Sequence, residues 1–232
     1  MPNAFPHPPK IVVFTGPGLS RESGFVPFDL PPGVGLEDVV TRDGFARDPA
    51  LVQDFYNRRR REMQAAAPNP AHEALAALDL TRPGEVLIVT RNIDDFHERA
   101  GNRAVIHTHG ELLKARCLIC TKVSDWFDDL SAADQCPICG NVGHLRPHIV
   151  WVGEEPLGLD KAYIALATCA TFLAIGNVGA GEPSRSFLAE AKRAGARTIE
   201  FAAEPTSLSP QFDERQHGQL TETVPVWVRS AI

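Results

Sequence analysis

Cys117, Cys120, Cys136 and Cys139 fall in the spacing C-x2-C-x15-C-x2-C. That pattern suits a tetrahedral structural zinc site closed by thiolates. Disulfides or free thiols are the alternatives, and a reducing compartment favours the metal over disulfides. Cys169 lies in an apolar stretch and is expected to pack in a core. Shortly before the first cysteine pair stands His-Thr-His-Gly at 107–110. An imidazole titrates near neutrality, so His109 can act as a general base. Taken alone it is more readily a core or surface histidine, as are His97, His107 and His148.

Other residues carry weaker chemical signals. Gly16-Pro17-Gly18 follows an apolar run and could cradle a phosphate, because glycine lets backbone N–H groups approach an anion. A plain tight turn explains it equally well, and G-x-G-x-x-G is not completed, since residue 21 is arginine. Asn92 and Asp94 could bind a carboxamide and hydroxyls, or cap the next helix. Tyr56 and Arg59 are three apart on an expected helix and share a face. A phenol and a guanidinium together can hold a carboxylate; a solvated basic helix is the alternative.

These residues need elements to hold them. Residues 11–15, 85–90, 105–108, 149–152, 171–175 and 197–201 read as strands by their short apolar, β-branched runs. Helices are expected from Ser20, over 49–67 with Asp48 as N-cap and Pro49 at N1, and over 70–80, 162–167 and 184–194. Residues 29–44 read as a long loop. Strands alternating with helices imply an α/β fold with a parallel sheet covered on both faces. Ligands bind beyond the carboxyl ends of such strands: at 16–18, 91–94, 107–110, 153–154, 176–179 and 202–204. The cysteine segment 114–145 is an insert between 1–113 and 146–232.

Bulk properties narrow the partners. The 232-residue chain carries a net charge of -6, which argues against nucleic acid or an anionic membrane. No run approaches the ~18 apolar residues of a membrane span. The proline-rich residues 1–10 lack the apolar core of a signal peptide. A cytoplasmic protein is expected; its oligomeric state is not encoded in any motif.

Together the motifs resemble the sirtuin (Sir2) family, the NAD-dependent protein deacylases. The resemblance rests on GPGLSRESG at 16–24, NIDDFHERAG at 92–101, HTHGELLKARC at 107–117, the four cysteines, LRPHIVWVGEEP at 145–156 and IGNVG at 175–179. It implies a Rossmann-type domain (1–113 and 146–232) with a zinc-ribbon insert (114–145) and an NAD cleft between them. It implies His109 as catalytic base, with Gly16, Gly18, Asn92, Asp94 and Gly176 at the cofactor. Zinc would be structural and NAD a co-substrate. Acylated protein lysines would be the substrates, their peptide adding a strand to Val152-Gly153-Glu154. FYNRRR at 55–60 is similar to the bacterial branch whose Tyr-x-x-Arg pair, here Tyr56 and Arg59, reads succinyl and malonyl lysine.

Against that pattern several cofactor positions differ. The usual alanine is Pro17, which lacks an N–H. The usual Phe-Arg reads Phe28-Asp29, and Thr-Gln-Asn reads Thr90-Arg91-Asn92. Gly-Thr-Ser reads Gly176-Asn177-Val178, a late asparagine is Ala202, and the phenylalanine of the substrate strand is Val152. Asp29 and Arg91 are expected to pair across the cleft. The cluster of changes keeps a second reading open: a sirtuin-fold protein that is not a deacylase, and instead binds another nucleotide or serves as a sensor or partner-binding module.

Overall fold

The computed structural model describes residues 8–231; residues 1–7 of the proline-rich start lie outside it. The chain runs β1 (Ile11–Thr15), α1 (Pro17–Arg21), α2 (Leu36–Val39), α3 (Arg42–Arg47), α4 (Pro49–Ala65), α5 (Pro70–Thr81), β2 (Val86–Thr90), α6 (Phe96–Ala100) and β3 (Val105–His107). It continues β4 (Gly110–Cys117), β5 (Val123–Asp125), β6 (Leu145–Ile149), α7 (Leu159–Leu166), β7 (Thr171–Ile175), α8 (Ser184–Arg193), β8 (Arg197–Ala202), β9 (Glu214–His217) and α9 (Leu220–Ala231).

Six strands form a parallel sheet in the order β3-β2-β1-β7-β8-β9. Successive side chains of a strand point to opposite faces, and β1 shows the consequence. Val12 and Phe14 pack with Phe187, Leu166 and Ala162 of α8 and α7. Ile11 and Val13 pack on the other face with Leu75 and Leu78 of α5 and Val224 and Val228 of α9. All five residues of β1 and of β2 are buried, as expected of strands covered on both sides.

A second sheet, β5-β4-β6, is antiparallel and carries the cysteines. It starts at Gly110 and ends at Ile149, so it reaches past 114–145 at both ends. Between the sheets lies a third apolar cluster, in which Val39, Val52, Phe55 and Tyr56 meet Leu112, Ile149 and Trp151.

The structure moves some expected elements. The first helix starts at Pro17, not Ser20, because Pro17 at the first helical position is pre-organised and Gly16 is its extended N-cap. Residues 29–44 are not one loop: α2 and the start of α3 lie within them, the latter capped by the Thr41 hydroxyl accepting from the Gly44 N–H at 2.9 Å. The strand expected over 149–152 is shifted to Leu145–Ile149, pairs with β4, and so puts 153–154 outside the parallel sheet. β9 and α9 were not expected; Pro225 inside α9 hides a helix whose Leu220, Val224 and Val228 recur at helical spacing. Glu22 caps that helix, accepting from the Leu220 and Thr221 N–H groups at 2.8 Å each.

Candidate active site

The parallel sheet places a crevice between β1 and β7. The chain leaves β1 toward β2 on one side and returns to β7 on the other, so strand order reverses there. The loops beyond both strands touch. A Cβ at Gly16 would stand 2.6 Å from the Asn177 carbonyl oxygen, and one at Gly18 2.7 Å from that of Gly176. Gly176 has φ +81 and Asn177 φ +56, so the backbone turns left-handed twice in succession. Asparagine tolerates that region better than most residues. The Gly16 N–H donates to the Ile175 carbonyl at 2.9 Å and the Gly18 N–H to the Gly176 carbonyl at 2.8 Å. The glycines therefore form the floor of the crevice by close backbone approach, rather than offering unpaired N–H groups. Pro17 removes no needed donor, since the first turn of a helix has no internal acceptor for it.

Asn92 and Asp94 line the same end of the sheet, both buried. The Asn92 amide donates to the Gly16 carbonyl at 3.1 Å, tying the end of β2 to the loop after β1. Asp94 accepts from the Ser20 hydroxyl at 2.7 Å and from the Phe96 N–H at 3.3 Å. Burial pushes its carboxyl up to about 6, against the pull of those hydrogen bonds.

His109 is half-buried at the start of the second sheet, next to Thr108. The Thr108 hydroxyl donates to the Thr90 carbonyl at 3.0 Å and lies 2.9 Å from His109 Nδ1. A hydroxyl has one proton, so toward His109 it accepts, which assigns the imidazole proton to Nδ1. Nε2 is left with its lone pair and no partner among the described residues. Burial, reinforced by the Arg91 charge, lowers His109 to about 4, so it is neutral at pH 7. His107 is different. Burial alone would lower it, but Glu98 at 2.8 Å from Nε2 and the Asn92 carbonyl at 3.0 Å from Nδ1 raise it to about 9. It is a structural cation two residues from the free base. His97 is also structural, 3.1 Å from the Thr15 hydroxyl and held well below its usual range by burial.

The expected Asp29–Arg91 pair does not form. Arg91 instead reaches over the crevice to the Val178 carbonyl, and Asp29 lies 3.8 Å from Arg59. The reason is position: Arg91 leaves the end of β2 beside β1, whereas Asp29 follows α1 on the side of α4. Val178 packs in the core and Ala202 is buried at the end of β8, so neither replacement leaves a lone polar group.

The arginine run of α4 is not a uniformly solvated face. Arg58 pairs with Asp54 at 2.7 Å on the outside. Arg60 is fully buried, donates to the Leu112 carbonyl at 2.9 Å and to Asn57 Oδ1 at 2.7 Å, and is lowered to about 10 by burial. Arg61 pairs with Asp129. Asn57 brackets Leu130, donating to its carbonyl at 2.9 Å and accepting from its N–H at 2.8 Å. With Gln53 on the Leu145 carbonyl and Gln64 on the Phe127 carbonyl, residues 53, 57, 60, 61 and 64 form a polar stripe that docks the cysteine module. Tyr56 and Arg59 point elsewhere. Tyr56 is buried and accepts from Trp151 Nε1 at 3.1 Å.

Trp151 precedes Val152-Gly153-Glu154. Val152 is 72% exposed, and its N–H donates to the Val40 carbonyl at 2.8 Å. Among the described residues, the Val152 carbonyl and both backbone groups of Gly153 have no backbone partner. Glu154 is fully engaged: Arg146 grips it bidentately at 2.9 and 2.8 Å, Arg42 donates at 2.8 Å, and the Trp151 N–H at 3.0 Å. Its carboxyl is held down to about 2; burial works against this, and the Arg146 hydrogen bond leads the groups that overcome it. Glu154 thus braces the loop and leaves the backbone at 152–153 open.

The four expected cysteine sulfurs come together, all within 4.8 Å of one another. Cys117 and Cys139 are 3.7 Å apart and Cys120 and Cys136 3.8 Å. Zinc–sulfur bonds of ~2.3 Å in a tetrahedron put sulfurs ~3.8 Å apart, whereas a disulfide needs ~2.05 Å. The site fits zinc. Its sulfurs also accept N–H donors, Ile119 on Cys117 at 3.4 Å and the Asn141 amide on Cys139 at 3.3 Å, and the latter leads in lowering the Cys139 thiol to about 6. Four thiolates leave no open position, so the metal's work is structural.

Thr108, Ser20, Glu98 and the α4 stripe escaped sequence reasoning. Threonine before the histidine was a usable signal; the long-range partners were not, because they come from elements far apart in the chain.

The sequence profile of the Sir2 family matches residues 16–183. An "NAD-dependent protein deacylase" of Yersinia pseudotuberculosis is 46% identical over 227 residues, covering 95% of this chain and 82% of its own. A solved Sir2 homologue in complex with NAD superposes with TM-score 0.85 at 33% identity, covering 95% of this chain and 88% of that one. The structure of Sir2Af2 bound to a myristoylated histone peptide superposes with TM-score 0.71 at 33% identity, covering 94% and 89%.

Proposed function

The chain belongs to the Sir2 family, and on that premise we propose that it is an NAD-dependent protein-lysine deacylase. It frees the lysine and passes the acyl group to ADP-ribose, with release of nicotinamide. The observation that carries the reading is His109: the Thr90–Thr108 hydrogen bonds leave Nε2 unprotonated and, among the described residues, unpartnered, and the imidazole is neutral at working pH. That is the state a general base requires. NAD, when bound, supplies the activated ribose carbon that the acyl oxygen attacks.

The residues of this chain do the rest. His109 Nε2 takes a proton from a ribose hydroxyl. Gly16, Gly18 and Gly176 let the nucleotide lie close to the backbone, and Asn92 and Asp94 fix the loop that carries it. Val152 and Gly153 offer backbone groups to an extended acyl-lysine peptide, with Glu154 holding the loop and Tyr56 and Arg59 at the acyl end. Of the described residues, 8–113 and 146–231 make up the nucleotide-binding body and 114–145 the zinc insert, whose sheet extends into the body at Gly110 and Ile149. A cytoplasmic setting suits thiolates that hold zinc. Among the described residues, no helix is long and apolar enough to cross a membrane.

The reading without deacylation has less behind it, since the altered cofactor positions are absorbed by local packing. The test is nicotinamide release from NAD on adding an acyl-lysine peptide, with His109→Ala abolishing turnover and leaving the melting curve intact. No release with acetyl, succinyl or malonyl peptides at millimolar NAD would overturn it.

A further inference from the structure

Arg59 is a permanent cation whose side chain is only 7% exposed. Its two terminal nitrogens are already claimed, while Nε is buried without a partner among the described residues. Its guanidinium donates to Glu62 at 2.7 Å and to the Val26 carbonyl at 3.2 Å, and lies 3.8 Å from Asp29. The two carboxylates reach it from different elements: Glu62 from the next turn of α4, Asp29 from the loop after α1. Both are on the outer side, Asp29 76% and Glu62 50% exposed, while the guanidinium is inside. Tyr56, one turn earlier, uses a lone pair on Trp151 and keeps its own proton to give.

We propose that Asp29 and Glu62 set the acyl selectivity of this chain, by occupying Arg59 and so favouring neutral acyl groups over acidic ones. The inference rests on the deacylase reading that puts Tyr56 and Arg59 at the acyl end. A succinyl or malonyl carboxylate reaching Arg59 must displace Glu62 or sit within a few ångströms of one or two like charges. A neutral acetyl group meets no such barrier. Asp29 contributes the smaller share, being longer-range and more exposed, where water and salt screen it.

The test measures kcat/KM for one peptide carrying succinyl-lysine or acetyl-lysine, and takes the ratio. The wild-type ratio is expected below one. Glu62→Gln should raise it about fivefold, Asp29→Asn about threefold, and the double variant about tenfold, the last equal to ~1.4 kcal/mol. The same two changes in an Arg59→Met background should leave the ratio unmoved. A wild-type preference for succinyl-lysine, a ratio unmoved by the double variant, or an equal rise without Arg59 would each overturn the proposal. Fluorescence-anisotropy affinities for the same two peptides read the same ratio without turnover. They judge this inference even if nicotinamide release fails and takes the deacylase reading with it.

Discussion

The two sheets are stabilised in different ways. The parallel sheet is held by apolar burial on both faces: β1 alone sends Val12 and Phe14 into one core and Ile11 and Val13 into the other. The antiparallel sheet shares Leu112 and Ile149 with the cluster between the sheets, and its own cluster is small: Ala115, Cys117, Leu130, Cys136 and Leu145, two of them metal ligands. It relies on thiolate chemistry and on the polar stripe of α4. The proposed nucleotide crevice sits at the end of the first sheet and the proposed peptide segment follows the second, so on that reading activity needs both and the junction between them.

The sharpest way to separate the regions is to remove the metal. Structural zinc contributes on the order of 10 kcal/mol to small metal-dependent folds. A strong chelator, or Cys136→Ala, should unfold the cysteine module while the parallel sheet keeps its secondary structure. Calorimetry should show the native transition replaced by one belonging to the larger body. Loss of all structure in one step would mean that the two regions share one cooperative unit. Phe14→Ala should do the reverse. It removes a fully buried ring that packs edge-on against Phe187 at 5.0 Å, and should cost about 4 kcal/mol with zinc still bound, as a thiol-sensitive zinc titration would read. The junction comes next. Arg60→Met keeps the volume and deletes the bonds to Leu112 and Asn57. The expected loss is about 2 kcal/mol, with hydrogen exchange rising in β4 and around Leu130 before it rises in β1.

Acid divides the two regions less sharply. His72, His109 and His148 are lowered to about 4 and His97 is held well below its ordinary value, each chiefly by burial. An unfolded histidine takes its proton near 6.5, so the stability these residues represent is complete above that pH and drains as pH falls from 6.5 toward 4. Asp94, raised to about 6, opposes them, since the native state holds its proton more tightly between 6 and 3.8. His107, raised to about 9, loses its contribution as pH climbs from 6.5 to 9. Asp95, also raised by burial, acts in the same direction as Asp94. Four histidines against two aspartates make the native state acid-labile below pH 6.5, and denaturant midpoints measured across pH 4.5 to 9 should show that slope.

How much of this was legible follows the same division. The buried strands declare themselves in apolar runs such as Ile11–Thr15 and Val86–Thr90, because a strand covered on both faces needs no polar position. The zinc site is written in its spacing. What could not be read is register and partnership. The apolar run Ile149–Val152 follows Arg146, Pro147 and His148, so hydrophobicity points to the wrong four residues, and nothing local says that the strand covers 145–149 and that pairing with β4 stops at Ile149. Asp29 and Arg91 are opposite charges on converging loops, and only the fold shows that Arg59 intercepts the first and Val178 the second. α9 hid behind Pro225.

Arg91 gives the finest test of how the crevice is tuned. Its guanidinium crosses the mouth to the Val178 carbonyl and its charge is the second cause, after burial, that lowers His109. Arg91→Gln keeps an N–H donor for that carbonyl but removes the charge. His109 should then rise by up to about one unit, an effect of ~1.4 kcal/mol. A base must be unprotonated to work, so the acid limb of the kcat/KM profile should move up in pH by that amount. The plateau near pH 8 is the internal control, since His109 is neutral there in both proteins. A plateau that falls while the acid limb stays fixed would show Arg91 acting on the nucleotide instead, and would make burial alone the cause of the low His109.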